Sequence, residues 1–356
     1  MKIKFKKKSS EFYQELIMET NSILTETELK KAKWLLQFKF VFYFLVFIAL
    51  YINLFNALII QHWALIYLNY IFLGLFGILL AFNSSHDCVH HTFSNNKRLN
   101  QLIYYVTFNL QGVNSRLWKK RHIASHHIFP NVDGCDADID NNPFIRLSES
   151  HEKKVLHKYQ HIYATVLYCL YTLHWIFVKD IIYLSKSELA NLKNQTYSFS
   201  FIVELILLKV FYLSYLIVIP YLLSDIPLIT IITAFLLMHF VISIFFVLTL
   251  IISHLTTETE FPKTDRHGFL PYDYYEHQLA VSLDYHPGSK LANWIFGGFN
   301  SHAAHHLFPK LPHTTYNLIS PTIKSLAIKY RLPYNEMSLI DAIFSHYKYL
   351  KKLGQQ

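Results

Sequence analysis

Four runs of apolar residues, at 40–60, 64–82, 201–222 and 228–252, each hold about 20 residues, enough to cross a ~30 Å hydrocarbon core as helix. Gln61 and His62 separate the first two, and Ser224 and Asp225 the second two, so each pair is expected to fold as a tight helical hairpin. A long polar region, 83–200, lies between the hairpins, and a mixed region follows residue 252. Residues 161–178 are apolar too, but the stretch is short and holds His161, Thr165, Thr172 and His174. Counting it as a span would put the histidine-rich segments before and after it on opposite sides of the membrane, so it is expected to lie in the interface. The pattern predicts an all-α integral membrane protein, with four transmembrane helices in two hairpins and a cytoplasmic helical cap carrying a histidine-rich di-metal site. Residues 1–38 form an N-terminal arm, 39–316 the membrane domain and 317–356 a C-terminal segment.

Composition agrees. The chain is 52% hydrophobic and 17% aromatic with only nine Gly, heavy in apolar residues for a soluble globule. Of 33 Lys plus Arg, nine lie in residues 1–39, thirteen in 83–200 and ten after 252, leaving Lys209 alone inside a span and none at a hairpin tip. By the positive-inside rule both termini and the cap are expected on the cytoplasmic side. A composition rich in Lys, Asn, Ile, Tyr and Phe, the mark of an AT-rich genome, points to a bacterial inner membrane rather than endoplasmic reticulum. The net charge of +9 therefore flanks apolar segments and does not form a nucleic-acid surface. Lys2, Lys4, Lys6, Lys7 and Lys8 precede no early apolar run, so no cleavable signal is expected, and residues 12–34 have the amphipathic character of a surface arm. Three Cys without C-x-x-C spacing argue against a disulfide framework. Gly74 and Gly77 are expected to allow close helix packing, and Lys209 with Glu204 to form a structural pair.

Histidine changes the picture. Of 21, ten fall in three tight groups or just beyond the last span. The groups read His86-Asp-Cys-Val-His90-His91, His122-Ile-Ala-Ser-His126-His127, and Asn300-Ser-His302-Ala-Ala-His305-His306-Leu-Phe-Pro. On a helix His302, His305 and His306 share one face, so three imidazoles are expected to point at one place. His86 with His90 and His122 with His126 repeat the i, i+4 pairing, while His91 and His127 are turned about 100° toward a neighbouring point. That suits two metal ions better than it suits satisfied structural histidines. His254 leaves the fourth run beside the groups and is placed as a further ligand, whereas His239 lies about 22 Å up the helix. Asp87, Asp136, Asp138, Glu258 and Glu260 are candidates to support the ligands from behind.

These boxes, with Trp118-Lys-Lys-Arg before His122, the phrase Tyr159-Gln-His-Ile-Tyr-Ala, and the block from Tyr285 through Trp294-Ile-Phe-Gly-Gly-Phe-Asn to His302, resemble the membrane fatty acid desaturases over roughly residues 34–316. The resemblance implies a di-iron enzyme that uses O2 and two external electrons to remove two hydrogens from an acyl chain. It carries the iron-ligand role to His86, His90, His91, His122, His126, His127, His254, His302, His305 and His306, the box histidines being catalytic. It implies as partners a fatty acyl substrate linked to CoA, carrier protein or glycerolipid, and a separate electron donor such as ferredoxin or cytochrome b5. His286-Pro-Gly-Ser is similar to a haem-binding signature, but it sits inside the block leading to the third box and is read as a turn. The third box opens with His302 where the subgroup acting between an existing double bond and the carboxyl end usually has Gln, which points to other regiochemistry.

Chemistry agrees with iron: breaking an unactivated C–H bond exceeds what side chains supply, and O2 chemistry is delegated to metals or organic cofactors. Two rivals remain at this level. A lipid hydroxylase or ketolase would use the same oxidant, and a zinc transporter or histidine-rich metal binder would use the same ligands. Transport, however, favours ligating residues within the spans, and here they lie at the ends.

Overall fold

The computed structural model describes residues 3–6 and 11–356, so Lys2, Lys7 and Lys8 lie outside the described residues. Four helices are long and apolar enough to cross a membrane: α2 (Glu26–Ile59), α3 (Trp63–Val89), α8 (Phe199–Leu222) and α9 (Leu228–Ile251). They pair as α2–α3 and α8–α9, and α3 also packs on α9. Gly74 permits that contact, since a Cβ there would sit 2.4 Å from Met238 Cγ of α9. Gly77 instead makes room for the Gln111 side chain. The long outward faces of Leu, Ile and Phe are those expected where lipid, rather than water, is the solvent.

The four spans match the hydropathy, but α2 begins at Glu26, so the proposed arm and the first span are one continuous helix. Thr25 caps it by accepting the Glu28 N–H. Before it, α1 (Glu11–Ile23) buries Phe12 and Leu16 against Ile319, Ile323 and Leu326 of a later helix, so the segment is packed rather than trailing.

The cap consists of shorter helices: α4 (Lys97–Asn109), α5 (Ser115–Arg121), α6 (Val155–Cys169), α7 (Tyr171–Ser185), α10 (Tyr274–Ala280), α11 (Lys290–Phe296), α12 (His302–Leu307), α13 (Tyr316–Lys329) and α14 (Leu339–Gln355). Among the described residues the only sheet is a two-stranded parallel one, β1 (Leu283–Tyr285) with β2 (Asn335–Met337), tying the third-box region to the C-terminal segment. The stretch expected to lie flat in the interface is two helices, α6 and α7, bent by 70° at Leu170. Thr172 at the bend meets Ser243 and His239 of α9. His239, bonded through its other nitrogen to Tyr212, is thus a packing residue between helices, away from the box histidines.

Several helices contain a π turn, with one residue more per turn than α. One, Ala81–Ser85, lies inside α3 just before His86; His122–His126 follows α5; Trp175–Lys179 lies inside α7; and Ser214–Val218 lies inside α8, just before Pro220. Such turns concentrate at functional sites because they re-aim side chains without breaking the helix.

Lys209 does not pair with Glu204. Its Nζ lies 2.6 Å from Asp180 of α7, while Glu204 takes Arg116 and Tyr105. Asp180 is 1% exposed, so Lys209→Met would strand a buried carboxylate at a cost of about 3–5 kcal/mol. Thermal unfolding in detergent should show a large drop for Lys209→Met and partial recovery in the double variant with Asp180→Asn; an unchanged single variant would contradict the assignment.

Candidate metal centre

The histidines gather into two adjoining sets at the ends of α3 and α9. One holds His86, His90, His122, His127 and His305; the other holds His126, His254, His302 and His306. Within each set one ring nitrogen from every residue lies within 4.8 Å of the others. In the first, the Nε2 of His122 is 3.2 Å from His86, 3.3 Å from His90 and 3.0 Å from His127. In the second, the Nε2 of His254 is 2.6 Å from His302 and 3.2 Å from His306. The sets touch through His127 and His306, whose ring centres are 4.8 Å apart.

The sorting differs from the expectation of one shared direction per box. The third box splits, His302 and His306 going to one set and His305 to the other. The second box splits because it is a π turn: the His127 N–H bonds the His122 carbonyl at 3.0 Å, five residues back. An i, i+5 repeat puts His122 and His127 on one side and releases His126 to the other, where i, i+4 had paired His122 with His126. His91 belongs to neither set; it has φ +62°, ending the first box, and it is exposed.

What stands behind the rings fixes their aim. His126 Nδ1 is 3.2 Å from both Asp136 oxygens, and Asp136 is held in turn by the backbone N–H groups of Asn131 and Asp138. Asp138 lies 3.7 Å from His126 and 2.8 Å from Arg121. His254 Nδ1 donates to the Val281 carbonyl at 2.9 Å. Trp118 stacks on His122 with ring centres 4.4 Å apart, and Phe299 covers His86 at 4.6 Å.

The other proposed carboxylates face elsewhere. Asp87 meets no box imidazole; it binds His313 Nδ1 at 2.6 Å and Thr92 at 3.0 Å. His313 Nε2 is 2.7 Å from Lys39 Nζ on α2, so a buried Lys39–His313–Asp87 chain anchors the first box to the first span. Glu258 bonds Thr257 and Ser345 of α14, and Glu260 accepts from Tyr272. A residue not singled out in the sequence, Asp284, accepts the Ala303 N–H at 2.8 Å and so seats the N-terminus of the third-box helix. Burial pushes its carboxyl up to about 7. The only sequence hints of these roles were a lone lysine at the start of an apolar run and an aspartate in an apolar strand.

Burial holds His122, His127, His302, His305 and His306 well below the usual imidazole range, and His254 at about 3. His126 moves the other way: burial is the largest influence and opposes its charge, but Asp136 and Asp138 together raise it. Neutral imidazoles are the metal-binding form. Nitrogens bound about 2.1 Å from one cation at right angles lie ~3 Å apart, and the spacings found here fall in that range. The buried Nε2 of His305, without a partner among the described residues, is a further donor awaiting an acceptor. The residues present therefore fit two metal ions.

A cavity of about 580 Å³ opens onto this centre, lined by His86, His122, His126, His254 and His302 at one end. Its walls are largely apolar, from Phe82, Phe108, Trp118, Phe246, Val247 and Leu250.

Four apolar helices, a cap with two histidine sets that could each hold a metal ion, and a largely apolar cavity opening onto both sets define a membrane protein with a candidate metal centre. The family model of the fatty acid desaturases matches residues 61–338, and the chain belongs to that family. It is a membrane fatty acid desaturase, an oxidoreductase. It is similar to an sn-1 linoleoyl-lipid 6-desaturase of Arthrospira platensis, 27% identical over 78% of this chain and 76% of that one. The enzyme of the same name from Synechocystis sp. is 26% identical over 77% of each chain. A Delta(8)-fatty-acid desaturase of Euglena gracilis is 30% identical over 70% of this chain and 59% of its own.

The contacts behind the rings separate the proposed supports. Asp136→Ala should lower metal affinity about 10- to 100-fold, while Glu258→Ala should leave it unchanged. Metal analysis of purified protein checks both, and equal retention in the two variants would refute the distinction.

Proposed function

We propose that the chain binds two iron ions in its histidine sets and uses O2 with two external electrons to introduce a double bond into a lipid-linked acyl chain. The carrying observation is the apolar cavity that ends on imidazoles of both sets. The balanced reaction is R–CH2–CH2–R′ + O2 + 2e⁻ + 2H⁺ → R–CH=CH–R′ + 2H2O. His86, His90, His122, His127 and His305 would hold one ion and His126, His254, His302 and His306 the other; bound there, iron supplies an oxidant strong enough to remove hydrogen from an unactivated carbon.

The protein's own part is to bind, align and keep dry. The rings of Trp118, Phe299 and Phe246 shape the cavity beside the imidazoles, and burial holds His122 in its neutral form. Asp136 fixes the direction of His126, and Asp284 that of the third-box helix. The electrons come from a separate donor, such as ferredoxin or cytochrome b5. The site lies on the cytoplasmic side in this reading, which the distribution of lysine and arginine supports.

The relatives' names favour a glycerolipid-linked substrate. They also bear on regiochemistry: a linoleoyl chain already carries double bonds, and position 6 lies between them and the carboxyl end. This is the opposite of what His302 in place of Gln suggested. In the structure position 302 is one of the metal-facing donors, and either side chain offers a nitrogen or oxygen there, so His302 does not decide where the chain stops. We infer insertion on the carboxyl side of an existing double bond.

Expression in a host supplied with linoleate, followed by fatty-acid analysis, tests this directly. The expected product is lighter by two hydrogens, with a new bond near the carboxyl end, and His305→Ala and His306→Ala should reduce it to background. Gain of one oxygen instead would assign the chain to the hydroxylases.

A further inference from the structure

One wall of the cavity contains three buried donors with no acceptor among the described residues: Arg121 Nε, Trp175 Nε1 and Tyr183 Oη. The three residues are 4%, 4% and 3% exposed. They are neighbours, for the guanidinium carbon of Arg121 lies 4.6 Å from the Tyr183 ring centre and 5.8 Å from that of Trp175. The outer nitrogen of Arg121 is engaged by Asp138 at 2.8 Å, which fixes the fork and leaves Nε over. The π turn Trp175–Lys179 aligns α7 so that Trp175 and Tyr183, eight residues apart, both reach this wall. A buried donor left unsatisfied is destabilising, so three together on one wall of a largely apolar cavity mark a place where a ligand supplies oxygen.

The surroundings say what kind of oxygen. The remaining walls take hydrocarbon, so the ligand is mostly apolar with acceptor atoms at one point. The cations lining the cavity, Arg121, Lys179 and Lys186, are balanced in number by Asp136, Asp138 and Asp140, with Arg121 paired to Asp138 and Lys186 to Asp140 at 2.7 Å, which suits a neutral carbonyl better than a phosphate. The wall also lies toward the opening, since Val178 and Ile182 line the cavity and are 43% and 40% exposed. Yet it is close to the metal centre: Asp138, which grips Arg121, is 3.7 Å from His126 Nδ1.

We propose that Arg121, Trp175 and Tyr183 form a carbonyl-binding station that holds the carboxyl end of the acyl chain, so that the double bond is placed by counting from the carbonyl. The proposal rests on the desaturase reading above and deepens it. A station this near the imidazoles leaves room for only a short run of methylenes before the reacting carbons, which is the physical basis for a bond near the carboxyl end. Ester and thioester carbonyls share the required chemistry.

The test uses the full chain in cells, with Tyr183→Phe and Trp175→Phe, each of which removes a donor and keeps a ring. Desaturation of acyl chains should fall about 3- to 10-fold in either variant, the loss of one hydrogen bond, and the product should spread over neighbouring bond positions with metal content unchanged. Feeding a 1-O-alkylglycerol of the same chain length gives an ether-linked chain that lacks the carbonyl. Wild type should desaturate it less well than the ester, and the gap should narrow in Tyr183→Phe. A pulse of labelled fatty acid distinguishes the sources, product appearing first in thioesters or first in glycerolipids. If wild type is active and both variants match it in amount and position, the station is wrong; if wild type makes no desaturated product, the desaturase reading itself fails.

Discussion

Nine imidazoles crowded into two sets, with ring nitrogens of seven of them about 3 Å from a neighbour's, are the constraint on which the rest of the structure depends. A neutral imidazole has one donor and one acceptor, so such a crowd cannot satisfy itself by hydrogen bonds alone, and burial forbids charging it. A cation at the centre of each set would resolve the problem. The spans deliver His86, His90 and His254 to one end of the bundle, and the cap supplies the remainder. The Lys39–His313–Asp87 chain then locks cap to span, and the parallel strand pair ties the third-box region to the C-terminal segment.

The π turns are how one chain serves two sets. An α-helical box would give its imidazoles to a single direction or to faces about 100° apart. The turn at His122–His126 brings His127 onto the face of His122 and sends His126 across. A related turn just before His86 and another across the cavity at Trp175 show the same device used for a box and for a wall.

Much of this was legible from sequence, for identifiable reasons. Spans of about 20 apolar residues and histidines at repeated spacing are strong local signals, and both survived. The failures are equally physical. Nothing in His-Ile-Ala-Ser-His-His distinguishes an α from a π turn, because the extra residue is set by packing. Asp87 and His313 are 226 positions apart, and Lys39 and His313 are 274 apart, so no spacing rule joins them. Glu258 was near the site in sequence but turns to Ser345 on a helix nearly 90 residues away. Asp180 was similarly invisible as the partner of Lys209, since it lies on a helix whose bend is set by α9.

The site is a rigid centre joined to an adaptable cavity. The centre is over-determined by contacts among rings, carboxylates and backbone carbonyls, and the cavity reaches it through aromatic and aliphatic side chains, of which Trp118 and Phe299 also pack on the imidazoles. X-ray absorption at the iron edge of the purified, reconstituted protein tests the central claim most directly. The account requires two irons per chain in a shell of imidazole nitrogens, with no sulfur. A single iron, a sulfur or carboxylate-dominated shell, or a site that accepts zinc and rejects iron would contradict it.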